Sequence, residues 1–163
     1  MKLILASLAI SLCFTATAYS QKPKVKTADF QDVVKKEVES TIRSFFAGFG
    51  TAKCDDVTPV SKFVRDNMIY VVDKDIYTVS LADYEQGLRD RVCNWVSHSG
   101  EIESVVVDAL SKDTAVAAWL YHDEVKSKSG EIKKVRGSVL MTLIRSAKGW
   151  KITSTLSLDE KIK

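Results

Sequence analysis

The sequence predicts an α+β fold in which a strongly bent antiparallel sheet from the C-terminal half wraps around helices from the N-terminal half. Three observations carry this. Thr114–Lys126 and Ile132–Arg145 are long runs rich in β-branched and aromatic residues, separated by the turn-forming Lys-Ser-Gly-Glu of Lys128–Glu131. A third such run, Trp150–Leu158, follows Ser-Ala-Lys-Gly at Ser146–Gly149. Upstream, apolar residues recur every three or four positions, the period of a helix with one face on a core.

Residues 1–20 have the order of a secretory leader. Lys2 is followed by the apolar run Leu3–Phe14 and by small residues at Thr15–Ala18, and the run is short for a membrane span. Cleavage after Ala18 and after Ser20 both fit, and Gln21 is the preferred new terminus. This order implies a secreted or periplasmic protein, with no membrane span once the leader is removed. About 143 residues remain of the 163, enough for one domain that buries about two-thirds of its unfolded surface. The net charge of +3 is too even to make nucleic acid or an anionic membrane the main partner. Two cysteines, Cys54 and Cys93, lie beyond the leader. In an exported chain they form either a disulfide or two separately buried thiols, and spacing alone does not decide between them.

Residues 21–28 read as a polar lead-in and 29–163 as a single domain. From Asp29, Phe30, Val34, Val38, Ile42, Phe45, Phe46 and Phe49 make one apolar stripe, which Gly48 and Gly50 should end. Thr58-Pro59 announces a short helix to about Arg65, with Thr as cap and Pro in the first turn. Met68–Val72 and Ile76–Val79 read as a short strand pair around Asp73-Lys74-Asp75. Ser80-Leu-Ala-Asp83 is a capping box opening a third helix through Trp95, and Ser99-Gly100 reads as a break before a strand at Glu101–Leu110.

This order, the aromatic-rich Arg43-Ser-Phe-Phe-Ala-Gly-Phe49, Asp66-Asn-Met-Ile-Tyr-Val-Val-Asp73 and Gly149-Trp-Lys-Ile152 resemble the nuclear transport factor 2-like superfamily, which includes ketosteroid isomerase, scytalone dehydratase and the SnoaL-like cyclases. The likeness spans about Asp29 to Leu158. It implies a cone-shaped sheet over three helices, a pocket between them, and often a second copy paired on the opposite sheet face. The isomerase constellation is not carried over. Phe45 or Phe46 stands where the resemblance places the tyrosine donor, and Met141 where it places the protonated aspartate. Only Asp73 can stand in for the base.

The resemblance turns Ala118, Leu120, His122 and Glu124 toward the helices, and Trp119, Tyr121 and Val125 to the other face. Val135, Val139, Met141 and Leu143 on the next run, with Ile152, Leu156 and Leu158 on the last, then complete either a greasy cavity wall or ordinary core. Within it, His122 is the candidate acid–base residue, with Asp73 or Glu124 orienting its ring; the alternative is a rim histidine bonded to water. Tyr70 and Tyr77 are either hydroxyls at the mouth or plain strand aromatics. Candidate ligand-binding residues are Tyr70, Leu120, Glu124, Val139, Met141 and Leu156. The Trp119/Tyr121 face is expected to carry a homodimer contact. With only His98 and His122, and no phosphate loop, dinucleotide fingerprint or nucleophile elbow, nothing calls for a structural zinc or a cofactor. The expected role is to hold a small apolar molecule; the alternatives are a cofactor-free isomerase, dehydratase or cyclase, and a non-catalytic interaction module.

Overall fold

The computed structural model describes residues 28–72 and 75–161. The leader at 1–20, nearly all of the lead-in, and Asp73 lie outside the described residues. The order is α1 (Ala28–Thr51), α2 (Thr58–Ser61), β1 (Val64–Val72), β2 (Asp75–Val79), α3 (Leu81–Val92), β3 (Trp95–Ala109), β4 (Thr114–Ser127), β5 (Ile132–Ser146) and β6 (Gly149–Lys161).

The apolar stripe of α1 does what its period requires. Val34, Val38, Ile42, Phe45 and Phe46 are buried, while Lys35, Lys36 and Arg43 face water. The helix runs through both glycines rather than ending at them. Gly48 is there for close approach: a Cβ would lie 2.5 Å from the Pro59 carbonyl oxygen of α2. That second helix is a single turn. Val57 stands at its N-cap without a side-chain cap, and the Asp56 carboxylate accepts the Thr58 N–H at 2.9 Å. The chain then enters β1 four residues before Met68, because the Phe63 carbonyl already accepts the Ile152 N–H of β6 at 2.8 Å. On α3, Ser80 caps as expected, its hydroxyl accepting the Asp83 N–H at 3.1 Å.

Helix α3 stops at Val92 rather than Trp95. Cys93 is its C-cap and is bonded to Cys54, with the Cα atoms 4.5 Å apart. The Asn94 side-chain amide donates to the Asp90 carbonyl at 2.8 Å, so the backbone is free to turn into β3. Ser99-Gly100 does not break that strand. Gly100 sits opposite Asp123, where a Cβ would come within 2.6 Å of the His122 carbonyl oxygen; glycine is what allows the two strands to meet there.

The six strands form one sheet in the order β2-β1-β6-β5-β4-β3. All neighbours are antiparallel except β1 and β6, which run parallel. The sheet curls about α1, whose stripe packs with Met68, Trp119, Val139, Met141, Leu143 and Ile152 in one core. Among the described residues no helix is long and apolar enough to cross a membrane.

The face assignment of β4 is the reverse of the one expected. Trp119 and Tyr121 are 4 % and 9 % exposed, whereas Leu120 is 39 % exposed on the outer face. The cause is the β4–β5 loop. It closes Lys126 on Ile132 with five residues between them, and directly opposed residues share a face. Trp119 therefore lies across from Val139, and Ala117 across from Met141. A four-residue loop would have paired the other set, because a one-residue slip moves every side chain to the opposite face. On β6 a bulge at Thr153, whose hydroxyl donates to the Thr142 carbonyl at 3.1 Å, sends Leu156 and Leu158 outward and Thr155 and Ser157 inward.

Candidate functional site

A hollow of about 390 Å³ lies between the last turns of α1 and the concave face of the sheet. Phe45, Phe46 and Phe49 form its helical side, and Trp119, Tyr121, Val139 and Met141 its sheet side. The size falls within the roughly 300–1,000 Å³ of small-molecule sites, and the aromatic wall is interrupted by polar side chains, among them Tyr84, Arg91, His98, Asp123 and Thr155.

Among the polar side chains of the lining, His98 and Asp123 are in direct contact. A bulge between Trp95 and Ser97 puts His98 on the inner face of β3, where plain alternation counted from Trp95 would turn it outward. Its side chain is 6 % exposed and its Nε2 lies 3.4 Å from Asp123 Oδ2. The imidazole stacks on Trp95 with ring centroids 5.2 Å apart, and Phe46 and Phe49 lie 6.1 and 6.0 Å away. Asp123 reaches it from β4 across the bare Cα of Gly100. Its other oxygen, Oδ1, is buried with no hydrogen-bond partner among the described residues. Packing of this kind fixes the imidazole plane, and a carboxylate beside it both selects a tautomer and stabilises the imidazolium.

Two further features shape the hollow. Gly137 lies opposite Tyr121, and a Cβ there would stand 2.6 Å from Tyr121 Cε1, so the tyrosine ring rests directly on the β5 backbone. Tyr84 of α3 lines the wall, and burial raises its phenol far above the ordinary range, with the Arg91 charge opposing that shift. Tyr84 therefore remains a hydroxyl donor at every physiological pH.

Of the residues expected from sequence, Tyr70, Val139 and Met141 line the hollow, as do Phe45 and Phe46. His122 does not. It lies on the outer face, with Nε2 3.5 Å from Glu101 Oε1 and Nδ1 3.5 Å from Glu103 Oε1. Arg136 donates twice to the same Glu103, at 3.0 and 2.6 Å, and together with His122 holds that carboxyl below its ordinary range. Leu120, Glu124 and Leu156 are also outside, with Glu124 paired to Lys134 at 3.0 Å. Tyr77 is half exposed and donates to Asp75 at 3.2 Å. The Trp119/Tyr121 face, expected to meet a second copy, is instead the floor of the hollow. His98 and Asp123 were missed. Asp123 was recoverable, since it shares the parity of Trp119 and Tyr121; His98 was hidden by the bulge.

No protein-family model matches the sequence, and no curated protein matches it. Solved structures do. The chain is similar to a protein assigned as a scytalone dehydratase from Novosphingobium aromaticivorans DSM 12444, with TM-score 0.69 and 10 % identity over 83 % of this chain and 93 % of that one. It is similar to a nuclear transport factor 2-like superfamily protein from Salmonella enterica serovar Typhimurium, with TM-score 0.65 and 12 % identity over 78 % and 91 %. A hexachlorocyclohexane dehydrochlorinase is similar with TM-score 0.62 and 6 % identity over 81 % and 93 %. At such identities the likeness speaks for architecture and not for activity. With the unclosed six-stranded sheet curled over the N-terminal helices, it shows that the chain has the nuclear transport factor 2-like fold.

Proposed function

We propose that the hollow holds a compact, largely apolar ring compound, and that His98, oriented by Asp123, moves a proton on it without a cofactor. The observation that carries this reading is the His98–Asp123 contact of 3.4 Å inside an aromatic wall. With Nε2–H toward Asp123, Nδ1 is the basic atom; Asp123 stabilises the imidazolium as it forms, which favours proton abstraction from carbon or oxygen. Two structures of similar fold bear the names dehydratase and dehydrochlorinase. Both names describe eliminations, which remove a proton and a leaving group, and isomerisation or cyclisation would likewise need a proton moved. The alternative of an interaction module closed by its own side chains is disfavoured by the volume left open.

Binding is tested by titrating naphthamide into the protein while following tryptophan fluorescence and melting temperature. We expect saturable one-to-one binding that raises the melting temperature by mass action, and its loss in Ser157→Trp, which fills the hollow from β6. On ring compounds bearing an acidic C–H next to a leaving group, His98→Gln should lower turnover by about 10²–10⁴-fold while leaving naphthamide binding in place. No binding, or undiminished binding to Ser157→Trp, sinks the hollow as a ligand site. Turnover indifferent to His98→Gln sinks the catalytic assignment.

We read the protein as exported, to the periplasm or the medium. The leader-like residues 1–20 and the Cys54–Cys93 bond support this, since disulfides persist in oxidising compartments. We also read it as self-associating through the outer sheet face. There Val106, Ala118, Leu140 and Leu156 stand in one cross-strand row, next to Leu120 and Leu158, and Leu140 is 47 % exposed. An apolar patch of that extent on a sheet is typical of an interface.

A further inference from the structure

The hairpin tip between β4 and β5 is rich in cations, and the structure divides them by face. On the outer side Lys134 meets Glu124 at 3.0 Å and Arg136 meets Glu103 at 2.6 Å. Lys133 has the opposite parity, so it lies on the inner face with Val135, Gly137 and Val139, at the open end of the hollow it helps to line. It makes no salt bridge among the described residues. On β5 it pairs with Val125 of β4, two residues before the described β5–β6 ladder begins at Val135. Across the mouth, the last turn of α3 carries two arginines. Arg89 faces Glu85 at 3.8 Å; Arg91 lines the hollow without an ion pair among the described residues, close enough for its charge to act on the Tyr84 phenol.

Two cations from different elements thus line the aromatic chamber, and the nearest carboxylate of its lining on β4 is Asp123, two residues, or about 7 Å along the strand, from Val125, which pairs with both Lys133 and His98. Asp90 and Glu131 do not line the chamber but stand in the shallow groove outside, which Arg91 and Lys133 also line. The chamber's own lining thus carries two cations, Arg91 and Lys133, and one carboxylate, Asp123. Resting on the reading of the hollow as a ligand site, we propose that its ligand is an aromatic or alicyclic organic acid, bound with the ring inward and the carboxylate held outward between Arg91 and Lys133. The planar guanidinium of Arg91 suits a carboxylate, and Lys133 adds a point charge. Asp123 repels the same group, which fixes the direction of entry and presents the ring, rather than the acid, to His98.

The test compares naphthoate with naphthamide, which share ring and shape and differ in charge. Isothermal titration of the full chain should show naphthoate binding about five- to tenfold more tightly, the size expected of two partly solvated charge contacts, with the advantage shrinking as salt rises. In the double variant Arg91→Gln, Lys133→Gln the advantage should vanish, with naphthamide as the internal reference. Equal or weaker binding of naphthoate by the unaltered protein overturns the proposal and leaves the hollow standing. A preference that survives in the double variant overturns it as well, since the discrimination then lies elsewhere. Failure of both compounds to bind overturns the ligand site itself, and this assignment with it.

Discussion

Glu37 shows how a single side chain ties the two halves of the chain together. On α1, it accepts the Trp150 indole N–H at 3.0 Å and a guanidinium N–H of Arg145, whose charge also lies 4.7 Å from the Trp150 ring centroid. The indole hydrogen bond first, and Arg145 second, hold the Glu37 carboxyl below its ordinary value of 4.5. The sign follows from linkage. Acidification through the ordinary carboxyl range protonates Glu37 in the unfolded chain first, so the stabilisation present above that range is lost until the lower, folded value is passed. Urea unfolding at a series of pH values should show a shallower loss of stability below about pH 4.5 for Glu37→Gln than for the unaltered protein. Identical slopes would mean that the contact contributes nothing to acid sensitivity.

At the scale of elements, the Cys54–Cys93 bond joins the segment just after α1 to the C-cap of α3, across a sequence separation of 39. Chain-entropy arguments assign a loop of that length about 4 kcal/mol, much of it lost on reduction. The double Cys54→Ser, Cys93→Ser variant should melt well below the parent, and naphthamide binding should weaken with it, because Trp95 and His98 follow the bond within a few residues. An unchanged melting temperature in dithiothreitol counts against a stabilising bond. The same elements mark how far the sequence could be read. Every helix and strand was legible from its period and turns: a stripe on α1, a capping box at Ser80, β-rich runs between Gly-containing turns. Their phase was not. The bulges at Val96 and Thr153 and the five-residue loop after Lys126 each shift parity by one, and a period-two pattern carries no warning of such a shift where both faces are apolar. Leu120 and Trp119 are equally plausible inside until the register is known. Tyr70, Val139 and Met141 line the hollow, while His122 lies outside it and His98, which the sequence reading does not single out, lies within.

For the molecule as a whole, the sheet has two apolar faces and only one set of helices. The concave face is occupied by α1 around the hollow; the convex face shows Leu140 amid Val106, Leu120 and Leu158, with the Glu101–Glu103–His122–Arg136 cluster at its rim. If two copies meet there, Leu140→Glu should convert a dimer into a monomer in sedimentation velocity while leaving the far-ultraviolet circular dichroism unchanged. A parent protein that already sediments as a monomer removes the interface. The two proposed roles divide by face, ligand binding inside the curl and self-association outside it, so a substitution on one face should leave the other's property intact.

The parallel pairing of β1 with β6 sets a timetable for assembly. The strand laid down latest of the six occupies an interior place in the sheet, so the β1–β2 hairpin has no neighbour to dock on until residues some eighty positions later have been delivered. Such late, non-local closure slows folding. A chain of this design therefore keeps the β1–β2 hairpin without its sheet neighbour until β6 has been made.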